Sequence, residues 1–513
     1  MYYKQWLVNM NRRKFLELSL SAAPSAVFLH TLNCRKAESR PPNILFIMAD
    51  DHTSQAWGCY GSRLQPYTPT ENIDRLRSEG ALLQNCFCTN SICVPSRATI
   101  LTGQYSHIHG AKRLDGRLVP ERKHVAKLLR ENGYETAVIG KWHLKERPEG
   151  FDYYSVLRRQ GRYHDPVFYQ AGKDWQGEGI EVKGHSTDVI TDQSLQWLQQ
   201  RKNSSSPFCL MCHFKAVHEP FYSHDRYRDL LANVHIPEPQ DLYRPSSPVG
   251  KRFEGWPLQI LAQRYLNNPE RYPPPRLSIT DKADEKTLLK ATYQKFIKDY
   301  LRAVAGIDDN IGRLLDYLDE NNLRENTVVI YTSDQGYFLG EHNLFDKRFM
   351  LEQSMRMPFV IRYPGEIAAG STIGDIILNI DFAGLFLDYA GIHIPDSMQG
   401  SSFRQNLQGR SPKNWRQAMY YHYWMHQPER PAHYGIRTQR YKLIYYYGLV
   451  QMGHSPERCW ELYDLRTDPN ELENQYDNPD YRHLVAKLKR DLETLRQQFN
   501  DTRDPLDPEL WSE

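Results

Sequence analysis

Apolar and polar positions alternate along this chain in a recurring way. Short apolar runs end abruptly in polar residues, as in "NILFIMADD", "ETAVIGKWH", "PFCLMCHFKAVHEP" and "TVVIYTSDQG". Stretches with helical spacing lie between them. A continuous apolar run suits a strand buried on both faces. Strands alternating with helices predict an α/β fold with a large, mostly parallel sheet covered by helices. After "PDSMQGSSFRQNLQG" the pattern changes: "RYKLIYYY" and "CWELYDL" read as strands, and residues 479–499 have the spacing of a helix. The predicted organisation is a leader over 1–40, a main domain over 41–405 and a small C-terminal subdomain over 406–513. Residues 225–295, rich in Pro, Tyr and charges, read as a surface excursion with helical pieces.

The polar endings carry the candidate chemistry. The four runs deliver Asp50 and Asp51, then Lys141 and His143, then His218, then Asp334 and Gln335. Ligands of open α/β sheets bind beyond the carboxyl ends of the strands, so four such ends can converge on one pocket. Three carboxylates and an amide oxygen are hard ligands, suited to Ca²⁺ or Mg²⁺. Arg97, Lys141, His143, His218 and Lys347 would surround that cation with positive charge, which suits an oxyanion such as sulfate or phosphate.

Composition narrows the picture. The chain has 513 residues, 40% hydrophobic and 25% charged, with a net charge of +3. That near-neutrality gives no basic footprint for nucleic acid, so no nucleic-acid partner is expected. Near the N-terminus, Arg12 and Arg13 precede the apolar run in "NRRKFLELSLSAAPSAVFLH". This reads as a twin-arginine export signal and predicts a periplasmic or extracellular protein handled by export machinery. Eight cysteines in so long a chain make no disulfide scaffold. Cys209 and Cys212 would point to opposite faces of one strand, and with no second cysteine pair they predict core packing rather than a zinc site.

Cys93 is different. In "CVPSRATILTG", Pro95 suits the first turn of a helix that Gly103 would end. Cys93 then sits at a helix N-terminus, where backbone N–H groups favour an anion. This stretch fits the C-x-P-S-R-x-x-x-L-T-G signature of the type I sulfatases, and "GYETAVIGKWH" resembles their second signature. The resemblance runs from about Pro42 to "WELYDLRTDPNELEN". It implies an alkaline-phosphatase-like fold with a small C-terminal antiparallel sheet. It also implies oxidation of Cys93 by a maturase to formylglycine, whose hydrated aldehyde attacks sulfur through one hydroxyl while the second later drives sulfate release.

Carried over residue by residue, the resemblance assigns Asp50, Asp51, Asp334, Gln335 and the modified Cys93 to Ca²⁺. Gln335 departs from the commoner Asn. Arg97 would stabilise the diol, Lys141 and Lys347 the sulfate charge, His143 would be the base for sulfate release, and His218 with Lys347 would assist the leaving oxygen. "SDQGYFLGEHNLFDKR" and "GFDYYSVLRRQGRYHDP" resemble the N-acetylglucosamine-6-sulfatase and related glycan-sulfatase branch. The expected substrate is therefore a sulfated carbohydrate, attacked at a chain end, with N-acetylglucosamine 6-sulfate the first choice. His342, His433 and Arg437, in loops dense in aromatics, are the candidate sugar contacts. Two alternatives stay open: a phosphodiesterase or phosphonate monoester hydrolase of the same superfamily, and a non-catalytic glycan-binding relative.

Overall fold

The computed structural model describes residues 40–243, 257–277, 279, 283–427, 429–504 and 506. The leader expected over 1–40 therefore lies outside the described residues, apart from Arg40. The strands in chain order are β1 (Asn43–Asp50), β2 (Ala81–Phe87), β3 (Glu135–Lys141), β4 (Tyr153–Leu157), β5 (Val167–Gln170), β6 (Ile180–Glu181), β7 (Phe208–Val217) and β8 (Thr327–Ser333). They continue with β9 (Phe338–Leu339), β10 (Phe345–Asp346), β11 (Phe359–Arg362), β12 (Ser371–Leu378), β13 (Ala418–Tyr423), β14 (His433–Thr438), β15 (Tyr441–Tyr445) and β16 (Trp460–Asp464).

Ten of these form one mixed sheet in the order β12-β2-β11-β8-β1-β7-β3-β4-β5-β6. Its centre is β8-β1-β7-β3, whose neighbours all pair in parallel, so their carboxyl ends emerge at one edge. Every residue of β1 and of β7 is buried, which is why both are largely apolar, with His213 and Lys215 the polar exceptions inside β7. Their side chains alternate between two cores. Ile44, Phe46, Met48, Cys209 and Met211 join one, and Leu45, Ile47, Ala49, Leu210 and Cys212 the other. Cys209 and Cys212 thus face opposite layers as core residues.

The first core is covered by the helix Cys93–Thr102 and by Phe382–Tyr389, the second by Ser186–Gln200 and the long helix Glu285–Glu320. That long helix reaches the site directly: Tyr300 Oη donates to the Asp51 carbonyl at 2.6 Å and accepts from Thr53 N–H at 2.9 Å. It clamps the turn that follows β1.

β13 to β16 form a separate four-stranded antiparallel sheet, followed by the helix Arg482–Gln498. Among the described residues no core of its own lies beneath it. Met419, Tyr420, Leu443, Leu462, Leu488 and Leu492 join the same hydrophobic cluster as Phe46 and Val94. Residues 41–513 are accordingly one compact unit, and the boundary expected at 405/406 marks a change of sheet rather than a separable body.

Close strand approach fixes where Lys141 emerges. Gly140 pairs with His213 of β7 and has φ 105°, and a Cβ built there would lie 2.0 Å from the His213 carbonyl oxygen. Gly133 has φ 84° with nothing within 4 Å. Gly140→Ala is expected to cost about 3 kcal/mol or more, against roughly 1 kcal/mol for Gly133→Ala, where only backbone strain acts. Urea unfolding of the two variants checks this, and equal losses would contradict the register described.

Candidate active site

Two consecutive strand residues normally point to opposite faces. Asp50 ends β1, and Asp51 adopts the left-handed φ of 69°, which Asp tolerates better than most residues. The kink lets both carboxylates face the same space. Cys93 is the first residue of its helix, preceded by the extended Ile92 (φ −155°), and Gly103 ends that helix at φ 63°. One ligand atom from each of Asp50, Asp51 and Cys93 lies within 4.8 Å of the others.

Around this group the four strand ends close. The Cys93 Sγ–H donates to Asp50 Oδ1 at 3.5 Å, and Gln335 Nε2 lies 3.6 Å from Sγ. Arg97, one turn along the helix, donates from Nε to Asp334 Oδ2 at 2.9 Å and from Nη1 to the Lys141 carbonyl at 2.9 Å. Lys141 pairs with Asp50 and donates to Gln160 Oε1 at 2.6 Å. Lys347 clasps both oxygens of Asp51 at 2.5 and 2.6 Å. His218 Nε2 lies 3.9 Å from Asp51 Oδ2. Its Nδ1 is 2.8 Å from the Glu219 carbonyl, which can only accept, so Nδ1 carries the proton and Nε2 faces the site. His143, at φ 59°, sits two residues past Lys141, and its ring feels the charges of Lys141, Asp50, Arg97 and Lys347.

The electrostatics follow from burial of many charges together. Burial pushes the Asp334 carboxyl up to about 7 and Asp51 to about 6, against the pull of Arg97 and Lys347 respectively. Burial would raise Asp50 too, but the cations Lys141, Arg97 and Lys347 hold it well below the usual carboxylate range. Burial lowers both His143 and His218, with Lys141 adding to each shift, so the two rings are neutral. It also pushes the Cys93 thiol up to about 12. The carboxylates repel one another, and the buried Gln335 Oε1 has no hydrogen-bond partner. A hard divalent cation fits this set. It would relieve the repulsion, and the Gln335 amide, whose Nε2 now donates to Asp51 Oδ1 at 2.5 Å, would present its unpartnered oxygen instead.

Asp50, Asp51, Cys93, Arg97, Lys141, His143, His218, Asp334, Gln335 and Lys347 are thus brought together. The three expected sugar contacts are not. His433 is fully buried, accepts from Met350 N–H at 3.1 Å through Nε2, and stacks on Phe349 and Tyr421. Arg437 is spent on Glu352 at 3.2 Å and on the face of Phe87. His342 is buried with Nδ1 3.7 Å from Asp241. These side chains join the C-terminal sheet and the catalytic loops to the core.

Charged residues flank Lys347. Lys347 lies between Asp346 and Arg348, both at left-handed φ (84° and 97°). Asp346 binds Arg348 at 2.8 Å and Arg430 at 2.9 Å, and Arg348 reaches Tyr423 Oη at 3.1 Å and Met425 Sδ at 3.8 Å. Asp346 and Arg348 were visible in "FDKR" as charges flanking Lys347. Gln160 gave no signal, because only the fold brings its loop to Lys141.

A family model described as Sulfatase matches residues 42–392. The chain belongs to the sulfatase family. A second model, N-sulphoglucosamine sulphohydrolase, C-terminal, matches residues 340–498 of this sulfatase. It is 39% identical to an N-acetylglucosamine-6-O-sulfatase of Bacteroides thetaiotaomicron, an alignment covering 92% of this chain and 89% of the relative. Among solved structures it is similar to BT4656 in complex with its substrate D-glucosamine-2-N,6-O-disulfate, with TM-score 0.83, 37% identity and coverage of 91% and 100%. A phosphonate monoester hydrolase of Agrobacterium radiobacter shares the fold, with TM-score 0.69 at 20% identity over 89% of this sulfatase and 96% of that chain. The chain is therefore a sulfuric ester hydrolase with the expected architecture.

Removing Arg97 would leave Asp334 buried without its partner. Arg97→Ala is expected to destabilise the protein by about 3–5 kcal/mol. Urea unfolding without added metal measures it, and a loss below about 1 kcal/mol, the scale of an exposed pair, would contradict the pairing.

Proposed function

We propose that this sulfatase removes the 6-O-sulfate from a terminal glucosamine unit of a glycan, using formylglycine at Cys93 and Ca²⁺. The similarity that carries the reading is the 39% identity, over nearly the whole chain, to an N-acetylglucosamine-6-O-sulfatase. The likeness to a structure holding a 6-O-sulfated glucosamine supports it. When bound, Ca²⁺ would supply fixed positive charge to the sulfate oxygens, and formylglycine a pair of hydroxyls for attack on sulfur and release of sulfate.

The residues of the chain do the rest. Asp50, Asp51, Asp334 and Gln335 would hold the ion. With these carboxylates turned to the cation, the ammonium groups of Lys141 and Lys347 would be free to face the sulfate group and offset the charge that shifts toward the leaving oxygen. The neutral His143, close enough to Lys141, Asp50, Arg97 and Lys347 to feel their charges, is able to accept a proton in the site. His218, its side chain 21% exposed and its Nε2 directed inward, lies where the sugar oxygen departs. Arg348, held beside Lys347 by Asp346 and Tyr423, would offer guanidinium donors to sugar hydroxyls. Export through the Arg12–Arg13 sequence and oxidation of Cys93 by a maturase belong to the same proposal.

Incubating matured enzyme with 6-, 4- and 2-O-sulfated monosaccharides and short oligosaccharides tests the substrate. Sulfate should be released from 6-sulfated glucosamine at chain ends. Release confined to other positions or to internal units would overturn this choice, and faster hydrolysis of an aryl phosphonate than of any sulfate ester would overturn the reaction class. The metal is tested separately. Saturating Ca²⁺ should raise the melting temperature of the wild type, by about 2.7 kcal/mol of stability at a hundredfold excess over Kd, and leave Asp334→Asn unmoved. An equal rise in both would contradict the ligand set.

A further inference from the structure

Four lysines are buried among the described residues: Lys141, Lys215, Lys347 and Lys442. Three have carboxylate partners, Lys141 on Asp50, Lys347 on Asp51, and Lys442 on Glu352 and Glu471. Lys215 forms no ion pair and no side-chain hydrogen bond among the described residues. Its ammonium rests only against the face of Tyr163, 4.8 Å from the ring centroid.

Its position is not peripheral. β7 lies between β1 and β3, with Val217 opposite Asp50 and His213 opposite Gly140. Lys215 therefore emerges between the strand ends that carry Asp50 and Lys141. The His218 N–H donates to the Lys215 carbonyl at 3.3 Å, and Tyr163 Oη donates to the His218 carbonyl at 2.6 Å. One turn thus fixes the backbone of both residues, and the ring beneath the ammonium is tied to the same turn.

The charges of the site sharpen the point. Asp50, Asp51 and Asp334 are matched by Arg97, Lys141 and Lys347. Lys215 is the surplus cation, and a divalent ion on the carboxylates would increase that surplus. A buried charge without a counterion is costly, and a substrate anion is the counterion this site is built to receive.

We propose that Lys215 is a further residue of the sulfate site, its ammonium contacting the sulfate group of substrate and product. The proposal rests on the sulfatase reading above. Lys141 and Lys347 must be drawn from carboxylates before they can serve, whereas Lys215 is available as the anion arrives. Burial, followed by the repulsion of Lys141, lowers the Lys215 ammonium to about 7, against the opposing pull of Asp50, Asp51 and Cys93. The groups facing it are Lys141 from β3, Asp50 and Asp51 from the end of β1, Cys93 from its helix, His218 from the shared turn, and Tyr163. An entering anion favours the charged form, so sulfate binding near neutral pH should take up a proton.

The test uses Ca²⁺-loaded full-length protein and inorganic sulfate, titrated calorimetrically in buffers of differing ionisation enthalpy, beside steady-state hydrolysis of the sulfated sugar. Lys215→Met should weaken sulfate at least about tenfold and raise KM comparably, as expected for loss of a buried charge contact. It should also abolish proton uptake while leaving Ca²⁺ affinity and melting temperature intact. Lys215→Arg, charged at every accessible pH, should keep most of the affinity and remove the loss of binding that the wild type shows as pH rises through about 7. Sulfate affinity within twofold of wild type in Lys215→Met would overturn the role of Lys215 and leave the sulfatase reading standing. Loss of Ca²⁺ affinity and melting temperature together with sulfate binding, in both variants, would assign Lys215 a structural role instead. Wild-type protein that hydrolyses no sulfate ester would overturn the sulfatase reading itself.

Discussion

Three carboxylates buried within one small volume repel one another, and most of the architecture around Cys93 serves to make them tolerable. Asp50, Asp51 and Asp334 come from the ends of two adjacent parallel strands. Arg97 reaches Asp334 from one turn beyond Cys93, Lys141 arrives on β3, and Lys347 arrives from the loop after β10. Each cation is itself buried, so none of these groups is stable in place without the others. A divalent ion would complete the arrangement, because it would add the positive charge that the raised Asp51 and Asp334 call for.

Topology supplies the convergence, and local backbone supplies the aim. The parallel order β8-β1-β7-β3 places all four strand ends along one edge. Regular strand geometry alone would scatter their side chains over two faces. Left-handed residues at Asp51, His143, Asp346 and Arg348 correct this at the points where adjacent side chains must serve the same space. Such conformations cost energy in non-glycine residues and persist where the surroundings hold them. At Asp51 the hold is the Tyr300 hydroxyl of the long helix.

The sequence made the strand ends legible for a physical reason: a strand buried on both faces must be apolar throughout, so the first polar residue marks the edge of the sheet. That logic located Asp50, Lys141 and Asp334, and the helix-start pattern located Cys93; in β7 it is broken by His213 and Lys215, which are buried within the strand before His218. It failed where burial and chemistry look alike in sequence. The aromatic and basic density around His433 and Arg437 belongs to packing of the C-terminal sheet on the shared core, and a buried histidine carries no mark that separates it from a sugar contact. The change of sheet after residue 405 was legible, but not that one continuous core underlies both sheets. Lys215 was hidden differently. It stands inside a ten-residue buried strand, where an ammonium is itself the anomaly, yet its meaning depends on which neighbours already have partners.

The account rests on Cys93 acting as an oxidised residue rather than a thiol, since burial leaves the thiol protonated at neutral pH. The most direct measurement is peptide mass spectrometry of the tryptic fragment ending at Arg97, made on preparations of graded specific activity. The fraction carrying the aldehyde or its hydrate at Cys93 should rise in proportion to sulfate-releasing activity. Full activity in a preparation whose Cys93 is entirely unmodified thiol would contradict the account.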